Sequence, residues 1–223
     1  MGKDIGSGNY SDEDLINFKE RLKAETNLLK SWFDTNSFVR DFPKTGIELE
    51  AWILDENMLP DPYAPEFLAK LNNEKIVPEI AKFNFEMNSD PHPLGGNVFS
   101  TLEKELQEMW SQCEKVANEN NKHPLLVGTM PLLRPHMLSM DYLSPQNRYA
   151  VMNKQVMKMR DGKPLYIRLN GKDDLYMYMD SVIAECAATS LQIHLSVNQE
   201  DAKRYYNACL LYTSYAADDS LRV

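Results

Sequence analysis

The chain is poor in cysteine and has no long apolar run. Its 223 residues include three cysteines, Cys113, Cys186 and Cys209. They are widely spaced and form no CxxC or cysteine–histidine pattern of the zinc-binding kind, so we expect free thiols in a reducing compartment. No stretch approaches the roughly 20 apolar residues that a membrane-spanning helix needs. We therefore expect no membrane partner.

Positive charge is also scarce. The chain has 24 Lys and Arg residues against 33 Asp and Glu residues, which gives a formal net charge of -9. Such an acidic protein binds nucleic acid and anionic membranes poorly, so we expect small-molecule ligands and no nucleic acid. The first residues, MGKDIGSGNYSDEDL, contain no apolar segment of the signal-peptide type, and we expect a cytoplasmic location. Phosphate-loop, dinucleotide-binding and serine-hydrolase motifs are absent as well.

The hydrophobic pattern mixes helices and strands without regular β–α–β alternation. Helical spacing predicts helices at about residues 11–34, 65–72, 100–120, 146–160 and 199–208. Alternation and short apolar runs predict strands at about residues 45–55, 80–88, 124–129, 165–169, 175–179 and 191–197. This order favours an α+β fold, in which helices cover one face of a mainly antiparallel sheet.

Three of the predicted strands have one apolar face and one face of functional groups. Because side chains alternate along a strand, residues two apart share a face. The apolar faces are suited to packing under helices. The polar faces carry Glu48 and Glu50 on the first strand, Asn84, Glu86 and Asn88 on the second, and Ser190, Gln192, His194 and Ser196 on the third.

Carboxylates this close raise each other's pKa unless a cation offsets their charge. Oxygen ligands with one imidazole suit Mg²⁺ or Mn²⁺, and Mg²⁺ is usually held by a few carboxylates together with substrate phosphates. The pattern therefore indicates nucleotide chemistry on an open sheet, provided that the three strands share that sheet. The alternatives are ordinary ones: a polar strand face is more often simply solvated, and His194 alone is more often a hydrogen-bonded histidine than a ligand.

At these residues the chain resembles the glutamate–cysteine ligases of the plant and proteobacterial type and the related carboxylate–amine ligases. The resemblance covers roughly residues 40–208 in five ordered blocks. The blocks are GIELEAWILD (46–55), FEMNSDPHPL (85–94), GTMPLLRP (128–135), the Asn147-Arg148-Tyr149 step, and AATSLQIHLSV (187–197).

The resemblance implies a glutamine-synthetase-like catalytic sheet and a two-step reaction. ATP would phosphorylate the γ-carboxylate of glutamate, and cysteine or another amine would attack the acyl phosphate. The protein would position the substrates and neutralise charge through Mg²⁺ or Mn²⁺.

The resemblance also implies roles for individual residues. Glu48 and Glu50 would be metal ligands, and Glu86 would be a further ligand or would bind glutamate. His194 would face the metal and the ATP phosphates, and Arg148 would meet a phosphate or a carboxylate. Four further residues would bind the substrate: Asn88, Thr189, Ser190 and Gln192. Gln192 would also contact the ATP cofactor.

The chain departs from the family in length and at its end. Family members run well beyond 223 residues, and their later strands supply another acidic ligand and basic residues for ATP. We expect an N-terminal helical segment at 1–40, the first part of a catalytic domain at 41–208, and an atypical, non-native tail at 209–223. A truncated, inactive fragment, or a module that binds glutamate or metal without turnover, is therefore the alternative function. A metal-dependent hydrolase using Glu86 and His194 as acid and base is a third interpretation, supported only by residue type.

Overall fold

The computed structural model describes residues 4–6, 9–38 and 43–219. The chain divides into two compact units. The first contains 1–9, 47–90 and 99–193, and the second contains 10–46, 91–98 and 194–223. The sequence-based division at residues 40 and 208 stays a prediction, and parts of its first and last segments lie outside the described residues.

Five α-helices, eight strands and three short 3₁₀ segments make up the regular structure of the described residues. The helices are α1 (Asp12–Thr35), α2 (Ala64–Leu71), α3 (Val98–Asn118), α4 (Asn147–Met159) and α5 (Gln199–Asp219). The strands are β1 (Lys44–Leu54), β2 (Ile76–Pro78), β3 (Asn84–Asn88), β4 (His92–Pro93), β5 (His123–Leu125), β6 (Leu165–Leu169), β7 (Leu175–Met179) and β8 (Leu191–Ser196).

The sheet of the first unit is built around β1. Strand β3 pairs antiparallel with β1, and β2 pairs antiparallel with the other side of β3. Strand β5 pairs antiparallel with the last residues of β1, and β8 also pairs with β1. A separate antiparallel hairpin is formed by β6 and β7. The predicted mixture of helices with an antiparallel sheet is confirmed, and the strands that carry the three polar faces share one sheet.

The core of the first unit lies under the apolar face of β3. Phe83, Phe85 and Met87 are fully buried, as their alternation predicts. The Phe85 ring lies 5.0 Å from that of Phe67 on α2, centroid to centroid. Because Phe85 sits between Asn84 and Glu86, its packing also holds the polar face of β3 in position.

In the second unit, α1 begins at a capping box. The Ser11 hydroxyl accepts a hydrogen bond from the backbone N–H of Asp14, and the Asp14 carboxylate accepts one from the backbone N–H of Ser11. This exchange satisfies donors that a helix start otherwise leaves free. No residue of α1 is buried. Across the described residues, no helix is both long enough and apolar enough to span a membrane.

The strand predicted at 80–88 begins later, at Asn84. Before it, Ala81 bridges to Leu143, and the Lys82 backbone N–H donates to the carbonyl of Tyr142 at 2.8 Å. The alternating pattern therefore continues through a segment that pairs with a different part of the chain. Sequence reasoning also missed β2, since three residues are too few for a periodic signal.

Two further expectations are wrong. The apolar face of β8 does not pack under helices, because Leu191 and Ile193 are 56% and 69% exposed. Alternation distinguishes two faces of a strand but does not show whether another element covers either. The last helix does not end near residue 208 but continues to Asp219. The segment 209–219 contains no glycine or proline, so nothing local stops the helix.

Replacement of Phe85 by alanine should lower the free energy of unfolding by about 3–5 kcal/mol, because it opens a cavity in a fully packed core. Phe99→Ala is the matched control, since Phe99 on α3 is 73% exposed and its loss should change stability by about 0.5 kcal/mol or less. Denaturant unfolding followed by circular dichroism measures both. Equal effects of the two substitutions would contradict this account of the core.

Candidate functional site

The register between β1 and β3 brings their polar faces together. Glu50 lies directly opposite Glu86, and Glu48 lies opposite Asn88. Directly opposed side chains on one face of an antiparallel pair have Cβ atoms about 4.5–5.5 Å apart, so two carboxylates become immediate neighbours here. Glu86 is 3% exposed. The polar face of β3 is therefore buried rather than solvated.

A third carboxylate, that of Glu79, joins this pair. Glu79 follows β2 directly in the chain, and β2 is paired with β3. Glu50, Glu79 and Glu86 each offer one oxygen, and these three oxygens lie within 4.8 Å of one another. Such a group of hard oxygen donors is the arrangement in which proteins bind Mg²⁺ or Mn²⁺.

The Glu86 carboxyl group is buried, so water does not stabilise its charged form. Burial, followed by repulsion from Glu79, raises its pKa to about 8. Burial also raises the pKa of Glu79, so both neighbouring carboxyl groups favour their protonated forms. The buried Oε1 of Glu86 has no hydrogen-bond partner among the described residues. A divalent cation would satisfy that oxygen and favour the charged form of the carboxylate.

Hydrogen bonds from Ser190, directly before β8, and from Gln192 in β8 hold the Glu50 carboxylate. Its Oε2 accepts from the backbone N–H of Ser190 at 2.9 Å, and its Oε1 accepts from the Ser190 hydroxyl at 2.9 Å. The Gln192 amide donates to Oε1 at 3.2 Å. Ser190 and Gln192 therefore orient a carboxylate, as the partners of metal ligands commonly do.

A cavity of about 270 Å³ opens beside the three carboxylates. It is lined by Glu50, Glu79, Ile80, Asn84, Glu185, Cys186, Ala188, Thr189, Ser190 and Gln192. Most of these side chains are polar, and the volume suits a small polar molecule. Burial raises the pKa of the Cys186 thiol to about 12, so Cys186 presents a neutral surface to the cavity.

Arg148, at the start of α4, lies on the Glu79 side of the group. Its guanidinium donates to the Tyr149 hydroxyl at 2.6 Å and to the carbonyl of Pro78, the residue before Glu79, at 3.4 Å. The positive charge of Arg148 acts to lower the pKa of Glu79, although burial outweighs it and leaves that pKa raised. Arg148 thus brings a fixed cation close to the acidic group.

The other predicted residues take different positions. The Asn88 amide donates to the Lys75 carbonyl at 3.4 Å and acts to lower the pKa of Glu86. Glu48 lies outside the group of three, although its charge helps to raise the pKa of Glu86. The Thr189 hydroxyl lines the cavity wall but donates to the Val127 carbonyl at 2.7 Å, which anchors the loop. His194 belongs to the second compact unit, and its side chain is exposed. Its role as a ligand stays a prediction.

Sequence reasoning missed Glu79 and gave no role to Asn84. Glu79 stands after three residues that show no alternation, and its place in the group depends on the pairing of β2 with β3. The only available signal was the proximity of Pro78-Glu79 to the polar strand at 84–88. Asn84 shares the polar face with Glu86, and the structure buries it beside the cavity with 3% exposure.

The raised pKa of Glu86 predicts a pH-dependent stability. Between its ordinary value of 4.5 and about 8, the folded protein holds a proton that the unfolded chain has released. The free energy of unfolding should therefore fall as pH rises through this range, by at most about 1.4 kcal/mol per pH unit. Glu86→Gln should flatten the dependence, whereas the exposed control Glu103→Gln should retain it. Urea unfolding between pH 5 and 9 measures this, and an unchanged slope in Glu86→Gln would refute the assignment.

Comparison of the chain with protein-family models, curated proteins and solved structures gives no match.

Proposed function

We propose that the chain is an ATP- and Mg²⁺-dependent ligase that joins the γ-carboxylate of glutamate to cysteine or another amine through an acyl phosphate. The sheet would be of the glutamine-synthetase-like type that the sequence resemblance implies. The observation that carries the proposal is the group formed by Glu50, Glu79 and Glu86 beside a polar cavity.

The residues present fit a divalent cation. All three offer hard carboxylate oxygens, and one of these residues has a buried oxygen without a partner among the described residues. A bound Mg²⁺ or Mn²⁺ would supply charge neutralisation for phosphate oxygens. Burial of neighbouring carboxylates is costly, and a bound cation would lower this cost, which favours a ligand-binding role for the group.

The residues around the three carboxylates favour a metal site that binds phosphate over a structural metal site with no open coordination position. Three carboxylates leave coordination positions for water and phosphate, which is how Mg²⁺ is commonly held in enzymes that act on nucleotides. Arg148, beside Glu79, supplies a guanidinium fork suited to phosphate or carboxylate oxygens. The cavity next to the group gives a second molecule room to approach. Ser190 and Gln192 line that cavity and hold Glu50 in place.

Activity is tested by ADP formation. The chain, incubated with ATP, Mg²⁺ and glutamate, should release ADP faster when cysteine or another primary amine is added. Glu50→Gln should lower both Mg²⁺ affinity and ADP release roughly tenfold or more, while Glu103→Gln should leave them unchanged. If MgATP and glutamate bind but no amine increases ADP formation, the chain binds without turnover and the ligase proposal fails.

Metal affinity should also depend on the residue that orients Glu50. Ser190→Ala removes the 2.9 Å hydrogen bond from the hydroxyl to Oε1 but keeps the backbone donor. We expect it to weaken Mn²⁺ binding by about tenfold, which is the lower end of the usual effect of such partners. Calorimetric titration measures this, with Ser111→Ala on α3 as the control. An affinity equal to that of the unmodified chain would show that Ser190 does not support the centre.

A further inference from the structure

The cavity contains a second acidic position that the metal group does not use. Glu185 lies in the short 3₁₀ segment Val182–Ala187, whose Ile183 and Cys186 are buried. These buried neighbours fix the segment against the core and leave the Glu185 side chain exposed at the cavity wall. Glu185 is not a member of the group of three carboxylates that lie close enough to share an ion.

Asn84 is an independent sign that this cavity takes a ligand. Its side chain is 3% exposed and lines the cavity. Neither Nδ2 nor Oδ1 has a hydrogen-bond partner among the described residues. A buried polar group left unpaired is costly, so such atoms are normally paired by protein, water or ligand. The amide offers a ligand one acceptor and two donors.

The charge of the residues that line the cavity favours a ligand with a positively charged group. Three of the ten lining residues are glutamates, and none is Lys, Arg or His. A cation bound at the group of three would offset the charge of Glu50 and Glu79, but Glu185 stands apart from that group. A positively charged organic group is the natural partner for the remaining carboxylate. Ile80, Cys186 and Ala188 add small neutral surfaces, which suit a small molecule.

We propose that Glu185 and Asn84 form a subsite for the ammonium group of a small amino acid that serves as the acceptor amine. Glu185 binds the ammonium group, and Asn84 Oδ1 accepts a second hydrogen bond from it. Asn84 Nδ2 donates to a carboxylate oxygen of the same ligand. This assignment of the acceptor site rests on the proposed ligase function, although binding to the subsite is measurable without turnover.

The test compares L-cysteine with 3-mercaptopropionate, which differs from it by lacking the ammonium group. Binding to the whole chain is followed by ¹⁵N–¹H NMR titration at pH 7, with and without Mg²⁺. Cysteine should bind at least tenfold more tightly than 3-mercaptopropionate. Glu185→Gln should remove that difference, whereas Glu103→Gln, which changes the net charge equally, should preserve it. Equal binding of the two compounds to the unmodified chain overturns the subsite.

The variant Asn84→Leu distinguishes a role of Asn84 in ligand binding from a role in the stability of the fold. Leucine is close in shape and removes two unpaired polar atoms, so the melting temperature should stay the same or rise. Cysteine binding should nevertheless weaken about tenfold. A stable Asn84→Leu protein that binds cysteine as tightly as the unmodified chain would remove Asn84 from the subsite. Asn84→Asp provides a second test if the leucine variant does not fold.

Metal titration distinguishes failure of this subsite from failure of the ligase proposal. Glu185→Gln should leave Mn²⁺ affinity unchanged, because Glu185 is not part of the group of three. If Mn²⁺ binds but cysteine binding does not depend on Glu185, the subsite is refuted and the metal centre stands. If cysteine binding depends on Glu185 but the chain binds no divalent metal, the subsite stands and the ligase proposal fails.

Discussion

Two carboxyl groups, those of Glu50 and Glu86, face each other across adjacent antiparallel strands. The organisation of the site follows from how their charge is offset. Glu79 adds a third acidic group, and burial raises the pKa of both Glu79 and Glu86. Protonation of these buried groups lowers the cost of placing their charges close together. A divalent cation bound at this place would favour the charged carboxylates and would therefore release protons.

The elements around the three carboxylates each contribute to the stability of this acidic group. Ser190, the residue directly before β8, stabilises Glu50 by donating hydrogen bonds to both of its oxygens. Arg148 brings a positive charge close to Glu79 without neutralising the group. Beneath them, the packing of Phe85 and its neighbours keeps β3 rigid. A group of neighbouring buried charges needs such support, because small displacements of its carboxylates change their pKa values.

The same region leaves polar atoms unpaired that an ordinary core would not. Asn84 and Glu86 lie on the same face of β3, and both have buried side-chain atoms without partners among the described residues. Their cost to stability is the expected signature of a surface organised for a ligand rather than for folding. Asn84 lines the cavity, whereas Glu86 belongs to the group of three carboxylates beside it. The proposed cation would pair Glu86, and the proposed amino-acid ligand would pair Asn84.

Local geometry explains what the sequence by itself determined. Because side chains alternate along a strand, Glu48 and Glu50 share a face wherever β1 lies, and Asn84, Glu86 and Asn88 share another. The positions of β6 and β7 and the end of α4 also follow from local signals. Only the tertiary structure decided that Glu50 stands opposite Glu86, that Glu79 joins them, and that the apolar face of β8 is exposed. Register, pairing partners and coverage depend on packing between segments distant in the chain, which no local periodicity encodes. The pair Glu48 and Glu50 was therefore found from the sequence, whereas the group of Glu50, Glu79 and Glu86 emerged from the fold.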